Sequence, residues 1–388
     1  MERYDVVVIG GGVAGASALY HLAERGVTRS LLLEQSHLAA GSSGRSAAFI
    51  ETLYTDADRV HWTQWGARLL ERLARDHGLP FVQHGKLQCA HDEVQLQQFA
   101  HTLELRDDDG ARVFSTDEVA AHAPALRTDD LAGAIYGPRD GWTDPPRLCD
   151  LLTTLATQAG ATIRRAKVTR VLVTAGRTAG VQTAAGTVAA NAVVNAAGAW
   201  AGTLAATAGA ELPVRGYRRT IAVLEDSRDD AGDLPLVCDP VGTAGDMVYM
   251  RGDGGRLILA GFHTEDPSHD DPCDPDRFVE AGELEVAEEL GSLLARRYRD
   301  AEQLRWRSNW AGLYPLTPDG QPIIGEAPTC PGLYHLTGLG GNGIQLSGAL
   351  GRVTADLILD GGSELLPDPT PYLPGRFPGP DDGPGSGS

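Results

Sequence analysis

The sequence is short of the residues that several function classes require. Its five cysteines, Cys89, Cys149, Cys238, Cys273 and Cys330, are scattered and form no C-x-x-C pair. That speaks against a zinc site or a disulfide framework and fits a reducing compartment. Basic residues are outnumbered 33 to 52 by acidic ones, for a formal charge of −19. Nucleic acid and anionic membrane surfaces need clustered Lys and Arg, so neither is an expected partner, and solubility accounts for the acidity. No apolar run reaches the ~18 residues of a membrane-spanning helix, and no segment repeats. The first apolar strand begins by Tyr4, which leaves no leader ahead of it and predicts a cytoplasmic protein. A length of 388 residues with 42% apolar content accommodates two globular domains.

What is present is concentrated at the N-terminus. Residues 5–9 form an apolar run long enough for one buried strand, and Gly10, Gly12 and Gly15 follow at G-x-G-x-x-G spacing. Gly10 allows the tight turn, Gly12 lets a pyrophosphate approach bare backbone, and Gly15 lets the next helix, residues 13–25, pack close to the strand. The N–H groups and positive dipole end of that helix would face the phosphates. A second apolar run, Leu31 to Leu33, ends in Glu34, nineteen residues after Gly15 and placed to accept hydrogen bonds from a ribose. Strand, glycines, helix, second strand and terminal acid in register make the dinucleotide reading far more specific than the glycines alone.

Farther along, residues 41–48 are small apart from Arg45, which suits a loop beside phosphates, although a surface loop would read the same way. Apolar residues Trp62, Trp65, Leu69, Leu70 and Leu73 predict a helix over 60–75, with both tryptophans in the core. Residues 81–90 read as a strand and 106–110 as a charged, solvated turn. Asp144 caps a helix opened by Pro145 and Pro146. Strand-like pieces follow at 162–164, 168–173, 180–183 and 187–190, then an apolar strand from 192 that runs into Ala197, Gly198 and Trp200. Strands are expected at 219–224, 247–251, 257–260 and 333–336, and a helix at 275–299. Gly338 to Gly343 open a last helix, 344–359, a second glycine-rich N-terminus suited to developing negative charge. Residues 376–388 read as a disordered tail.

Taken together, these pieces resemble the D-amino-acid oxidase-like family of FAD enzymes, and within it the pattern is closest to the D-arginine dehydrogenases. The markers are Gly10–Gly15 with Glu34, residues 41–48, Asn195 to Trp200, Thr317-Pro318-Asp319-Gly320, and Gly338 to Gly343, in family order over nearly the whole chain. The resemblance implies an α/β fold. A Rossmann-type FAD domain would be built from three segments, 1–80, 145–217 and 322–366. A sheet-based substrate domain, 81–144 and 218–321, would lie over the flavin, with 367–388 as a C-terminal extension. It also assigns the FAD contacts. Gly10, Gly12, Val13, Ala14 and Gly15 match the pyrophosphate turn, and Glu34 with Gln35 the ribose. Ser43, Arg45, Ser46 and Ala47 match the loop along phosphates and ring. Val168 matches an adenine contact, and Ala197, Gly198 and Trp200 a strand end at the cofactor. Gly340, Gly341, Asn342, Gly343 and Ile344 match the segment at the pyrimidine ring.

The implied reaction is oxidation of a C–N bond, the α-hydrogen leaving as hydride to flavin N5 and the imine hydrolysing in water. An amino-acid substrate needs a carboxylate anchor, and arginine suits it through its bidentate fork. Arg219 resembles the family's anchor, with Arg218 as alternate, since neighbours on a strand point to opposite faces. Tyr54 and Tyr249 match tyrosines that contact substrate, although core tyrosines would read the same way. Tyr314 stands where the closest relatives carry a second arginine. Lys86 stands where they carry an acid that reads a cationic side chain, which favours a neutral or acidic substrate unless Lys86 is paired with Glu51. Phe49 replaces a histidine. His263 is a candidate base or an idle strand-end residue. Gly312 replaces the cysteine that tethers flavin in sarcosine oxidases, so FAD is expected to be non-covalent. Leu259 replaces their oxygen-activating lysine, which tilts the acceptor from O2 towards a quinone or carrier; a quinone would imply a peripheral membrane location.

The first expectation is a D-amino-acid dehydrogenase or oxidase. The alternative is an enzyme for N-methyl or cyclic amino acids, and a third reading is a flavoprotein of assembly without turnover.

Overall fold

A computed structural model describes residues 2–107, 110–241, 246–264, 272–281 and 284–377. Three sheets organise them. The first is built on the apolar strand Arg3–Ile9, which lies parallel between Ser30–Glu34 and Gly186–Asn195. Its residues Val6 to Ile9 are all at most 4% exposed, the mark of a strand covered on both faces. Thr162–Arg165 extends the sheet beyond Ser30–Glu34. On the other side Gly186–Asn195 forks: residues 186–189 pair with Arg177–Thr183, and 193–195 with Leu333–Thr337. The sequence reading divides this strand at Asn191; the structure runs it unbroken, because its small residues pair on both edges.

Helices Val13–Glu24, Ala57–His77, Pro145–Gln158 and Gly343–Asp360 pack against one another beside this sheet. Glycines set their spacing: a Cβ on Gly351 would lie 2.2 Å from the Ser17 hydroxyl, and one on Gly66 2.7 Å from the Gln345 carbonyl. Trp62 is fully buried and packs on Tyr372, as expected of a core residue. Asp144 caps its helix through the Arg147 amide at 3.0 Å.

The second sheet has eight strands, in the order Arg305–Leu316, Arg215–Glu225, Leu257–His263, Met247–Gly252, Leu236–Pro240, Lys86–Ala90, Gly133–Gly137 and Arg112–Phe114. All neighbours are antiparallel except Leu236–Pro240 with Lys86–Ala90. The strand expected from 219 starts at Arg215, which places residues 215–217 in this sheet. A small third sheet joins Phe49–Ile50, Gly141–Thr143 and Phe81–Val82.

Several expectations need correction. The strand over 81–90 is two strands, broken at Gly85, whose φ of +81° turns the chain. The helix over 275–299 is confined to Leu284–Arg297 among the described residues, while 272–281 is irregular. Arg106 is not a solvated turn residue: its guanidinium donates to the Thr52 carbonyl and, at 2.7 Å, to the Thr52 hydroxyl; Asp108 and Asp109 lie outside the described residues. The tail is ordered to Phe377, with Arg376 bonded to Asp319 at 2.7 Å and Phe377 against the core; the rest, 378–388, lies outside the described residues.

Candidate functional site

One cavity of about 590 Å³ opens where the strands of the first sheet end and the second sheet comes over them. That volume suits a small-molecule or cofactor site. At its first-sheet end the chain leaves Ile9 through Gly10, whose φ of +108° and contact with the Ala196 carbonyl (2.5 Å from a Cβ placed there) tolerate only glycine. The following helix has Gly12 at its N-cap, so no cap side chain covers its first amides. A Cβ on Gly12 would project into the open cradle, meeting only the Ser43 hydroxyl at 3.1 Å. Ser43 Oγ accepts from the Val13 amide at 3.0 Å. Glu34 ends its strand at the cavity wall, oriented by the amides of Gly11 and Ser36, each 2.7 Å from one carboxylate oxygen.

Arg45 closes a short helical turn, Ser42–Arg45. Its guanidinium donates to the Ala40 carbonyl and to Glu280 at 2.6 Å, and its own carbonyl accepts from Trp310 at 2.9 Å. Buried Asn195 donates to the Ala201 carbonyl at 2.9 Å and so shapes the turn that brings Ala197, Gly198 and Trp200 to the wall. The helix Gly343–Asp360 also starts at the cavity without a side-chain cap from Asn342. Two uncapped helix N-termini, a bare glycine turn and a fixed terminal acid fit a flavin dinucleotide, whose phosphates need amides and whose ribose needs an acceptor.

The second sheet supplies the opposite wall. Arg219 is 7% exposed and lines the cavity. It donates to the Arg218 and Thr264 carbonyls at 2.8 and 3.2 Å, and its guanidinium sits 5.5 Å from the Tyr314 ring centre. Arg218 faces away, donating to the Val279 carbonyl at 2.9 Å. The Tyr314 hydroxyl lies 3.2 Å from His263 Nδ1. Both rings close on Gly341, where a Cβ would be 2.6 Å from Tyr314 and 2.8 Å from His263. Tyr249 is 3% exposed, edge-on to Phe49, and burial raises its hydroxyl well above the ordinary tyrosine value, so it stays neutral.

Every cofactor and substrate candidate read from the sequence lines this cavity except Gly15, Tyr54, Lys86 and the alternate Arg218. Gly15 instead packs helix on turn, with a Cβ position 2.0 Å from the Gly10 carbonyl. Tyr54 sits behind the wall, bonded to Glu51 and Asn342, each at 2.9 Å. Lys86 is 2% exposed and ion-paired to Glu51, so it does not meet a substrate directly. Of this pair Glu51 lines the cavity, a residue the sequence reading mentions only as a neighbour of Lys86. Burial pushes the Glu51 carboxyl up, but Lys86, His263 and the Tyr54 hydroxyl together hold it below the ordinary glutamate value. The reading also missed Pro275, Asp276, Phe278 and Glu280, which line the cavity from the irregular stretch 272–281; nothing in their spacing announces them. Cys238 lines the cavity as well, and burial raises its thiol to about 12, so it stays protonated. Leu259 is buried against Ala47, Ile221 and Tyr249. Among the described residues no group of acids, histidines or cysteines could hold a metal ion, and no helix is long and apolar enough to cross a membrane.

The segment carrying Glu51 is fixed by a buried neighbour. Asp140 is fully buried and accepts from the Thr52 hydroxyl at 2.6 Å through Oδ1, while Oδ2 has no partner among the described residues. Burial pushes this carboxyl up to about 6, against the hydrogen bond from Thr52 and the charges of Lys86 and Arg106. An acid with a higher pKa folded than unfolded stabilises the fold below about pH 4 and loses that stabilisation as pH rises through about 6. Asp140→Asn removes the titration and can still accept from Thr52. Its stability relative to the parent is therefore expected to improve by roughly 3 kcal/mol between pH 4 and 7, read from urea midpoints across that range. A pH-independent difference would refute the assignment.

Comparison with known proteins places this geometry. The profile of the FAD dependent oxidoreductase family matches residues 5–357. Human mitochondrial sarcosine dehydrogenase is 30% identical over 372 residues; the alignment covers 93% of this chain but 40% of that protein, so the chain spans about two-fifths of its length. Glycine oxidase of Geobacillus kaustophilus (strain HTA426) is also 30% identical, over 92% of this chain and 93% of its own. The crystal structure of L-proline dehydrogenase from P. horikoshii superposes with a TM-score of 0.87 at 25% identity, covering 97% of this chain and 98% of that one.

Proposed function

The chain belongs to the FAD dependent oxidoreductase family, and from that premise we propose that it oxidises the Cα–N bond of a small amino acid whose carboxylate is held by Arg219. The bound FAD supplies the two-electron acceptor. The protein's own residues supply the rest. Arg219 takes the carboxylate through parallel N–H···O bonds and fixes which face of the substrate meets the flavin. Tyr249 and Phe49 exclude water from one side of the cavity. The His263 imidazole, bonded to Tyr314, is the group on this wall that can take up the proton an ammonium must lose before its Cα–H bond breaks. The imine product hydrolyses in water. The observation that carries the reading is the buried Arg219, held by carbonyl oxygens beside Tyr314 on the same cavity as the start of the helix Gly343–Asp360.

Two substrate classes divide the finer reading. Sarcosine and L-proline, named in two of the relatives, are secondary amino acids, which supports an N-alkyl or cyclic substrate. A D-amino acid with a neutral or acidic side chain is supported by the apolar wall of Phe49, Ile221 and Met247 and by Lys86, which already neutralises Glu51. The absence of a lysine at Leu259 supports a carrier or quinone over O2 as electron acceptor.

Anaerobic addition of single amino acids to the flavin-loaded protein, followed by air, tests all of this. Bleaching of the flavin band by sarcosine or proline, with slow recovery in air, is the expected result. Bleaching by neutral or acidic D-amino acids alone moves the substrate to the second class. Bleaching by D-arginine overturns the Lys86 argument, and no bleaching by any carboxylate-bearing amine overturns the proposal.

A further inference from the structure

On the reading just proposed, the substrate nitrogen needs a partner as its carboxylate does, and we infer that Glu51 is that partner: its Oε2 accepts an N–H from the substrate amine, and Lys86 behind it is a positioning residue.

The accounting of lone pairs carries this. A carboxylate has about four acceptor sites, two on each oxygen. Oε1 of Glu51 accepts from the Tyr54 hydroxyl at 2.9 Å, and the Gln345 amide lies 3.3 Å from it with its two hydrogens nearer to Tyr54 and Asn342. Among the described residues Oε2 accepts from Lys86 alone. At least one acceptor position therefore remains, on Oε2 of a carboxylate that lines the cavity with its side chain 14% exposed, while Lys86 at 2% exposure stays behind the wall. The lysine cannot swing forward to compete with a ligand without abandoning Glu51, its ion-pair partner among the described residues, in a buried site, a loss of several kcal/mol for an uncompensated charge.

The placement is rigid. Glu51 directly follows the short strand Phe49–Ile50, and Thr52 after it is locked between Asp140 and Arg106. Tyr54 and Gln345 tie its other oxygen to the N-terminus of the helix Gly343–Asp360, where Gln345 also donates to Tyr54 at 2.7 Å and to Asn342 at 2.9 Å. The anion thus stands beside the helix start expected at the flavin ring, on the same cavity as the cation Arg219. A ligand with a carboxylate and a neighbouring N–H is matched at both ends. Primary and secondary amines carry such an N–H when neutral; tertiary amines do not, and the site should reject them.

Two planar acids of nearly equal shape test this directly. Pyrrole-2-carboxylate offers a ring N–H beside its carboxylate, and 2-furoate offers a ring oxygen. Their affinities are read from perturbation of the flavin spectrum of the loaded protein. The parent is expected to bind the pyrrole acid roughly tenfold or more tightly than the furoate, the worth of one hydrogen bond to a charged group. In Glu51→Leu/Lys86→Met, where no acceptor faces the ligand and no buried lysine is left unpaired, the ratio should fall to near one with furoate affinity little changed; in Glu51→Gln, whose amide oxygen can still accept but carries no charge, it should fall partway. An equal ratio in parent and variants, or a parent ratio near one, overturns the role of Glu51. If both acids still bind in a manner that Arg219→Met abolishes, the proposed amino-acid oxidation survives that outcome. If neither acid perturbs the flavin, both fall together.

Discussion

Methionine in place of Arg219 is expected to lower kcat/KM for the amino-acid substrate by roughly two to four orders of magnitude while leaving the FAD content of the purified protein unchanged. A bidentate pair to a carboxylate forms two charge-assisted hydrogen bonds, each contributing about 1.5–3 kcal/mol, and each 1.36 kcal/mol is a decade in rate. Methionine keeps much of the volume and removes the charge. The carbonyls of Arg218 and Thr264 fix the guanidinium at the cavity wall. Because a carboxylate is bound alike in ground and transition states, most of the loss should appear in KM. The part that appears in kcat measures how far the Cα–H bond has drifted from its productive position. Arg219→Lys should recover part of the loss, since it keeps the charge and loses the fork. Arg218→Met, on the solvent side of the same strand, should change kcat/KM by less than about threefold. Retention of near-parent kcat/KM in Arg219→Met would remove the carboxylate anchor from this residue.

How much of this site was legible in the sequence follows from what each part depends on. The dinucleotide turn is local: glycine spacing, an apolar strand and a terminal acid are fixed by backbone sterics within 34 residues, and Gly10, Gly12 and Glu34 line the cavity. The α/β class was equally legible, because strand Arg3–Ile9 is apolar on both faces. Arg219 and Tyr249 became legible through resemblance, since a strand pattern says which residues share a face and not what they face. Glu51 and Lys86 show where reading by position fails. The register of Lys86 was recognised, but whether it points into the cavity depends on a partner 35 residues away and on its place opposite Leu236 in a parallel strand pair. Residues 275–281 were assigned to the start of a helix, yet tertiary tethers decide the shape of 272–281: Trp200 to Asp276 at 2.9 Å, Arg45 to Glu280, and Cys273 to the edge of Gly216. Long strands were divided or shortened wherever small residues such as Ala and Gly diluted the alternation, as in Gly186–Asn195.

The same locality makes the second large effect calculable. Gly15→Ala is expected to yield protein without flavin after gel filtration, although Gly15 touches no part of the cavity. Its Cβ would stand 2.0 Å from the Gly10 carbonyl oxygen and 3.3 Å from Val8. The first contact is with backbone, so no side-chain rotation relieves it; the helix Val13–Glu24 must lift from the strand. Its first amides would then leave the cradle formed with Gly12 and Ser43, and the phosphates would lose amides and dipole together. Over-packing of this kind costs about 1–3 kcal/mol in a core that can adjust, and here the adjustment itself moves the binding amides. Binding should therefore suffer more than folding: loss of absorbance near the flavin band, with circular dichroism retaining the parent helix content. Gly26→Ala is the matched control. Gly26 has a φ of +88° and nothing within 4 Å of its Cβ position, so alanine there strains the backbone by about 1 kcal/mol and should leave flavin bound. If Gly15→Ala retains flavin as Gly26→Ala does, the turn tolerates a methyl group and the close helix–strand contact is not what positions the phosphates.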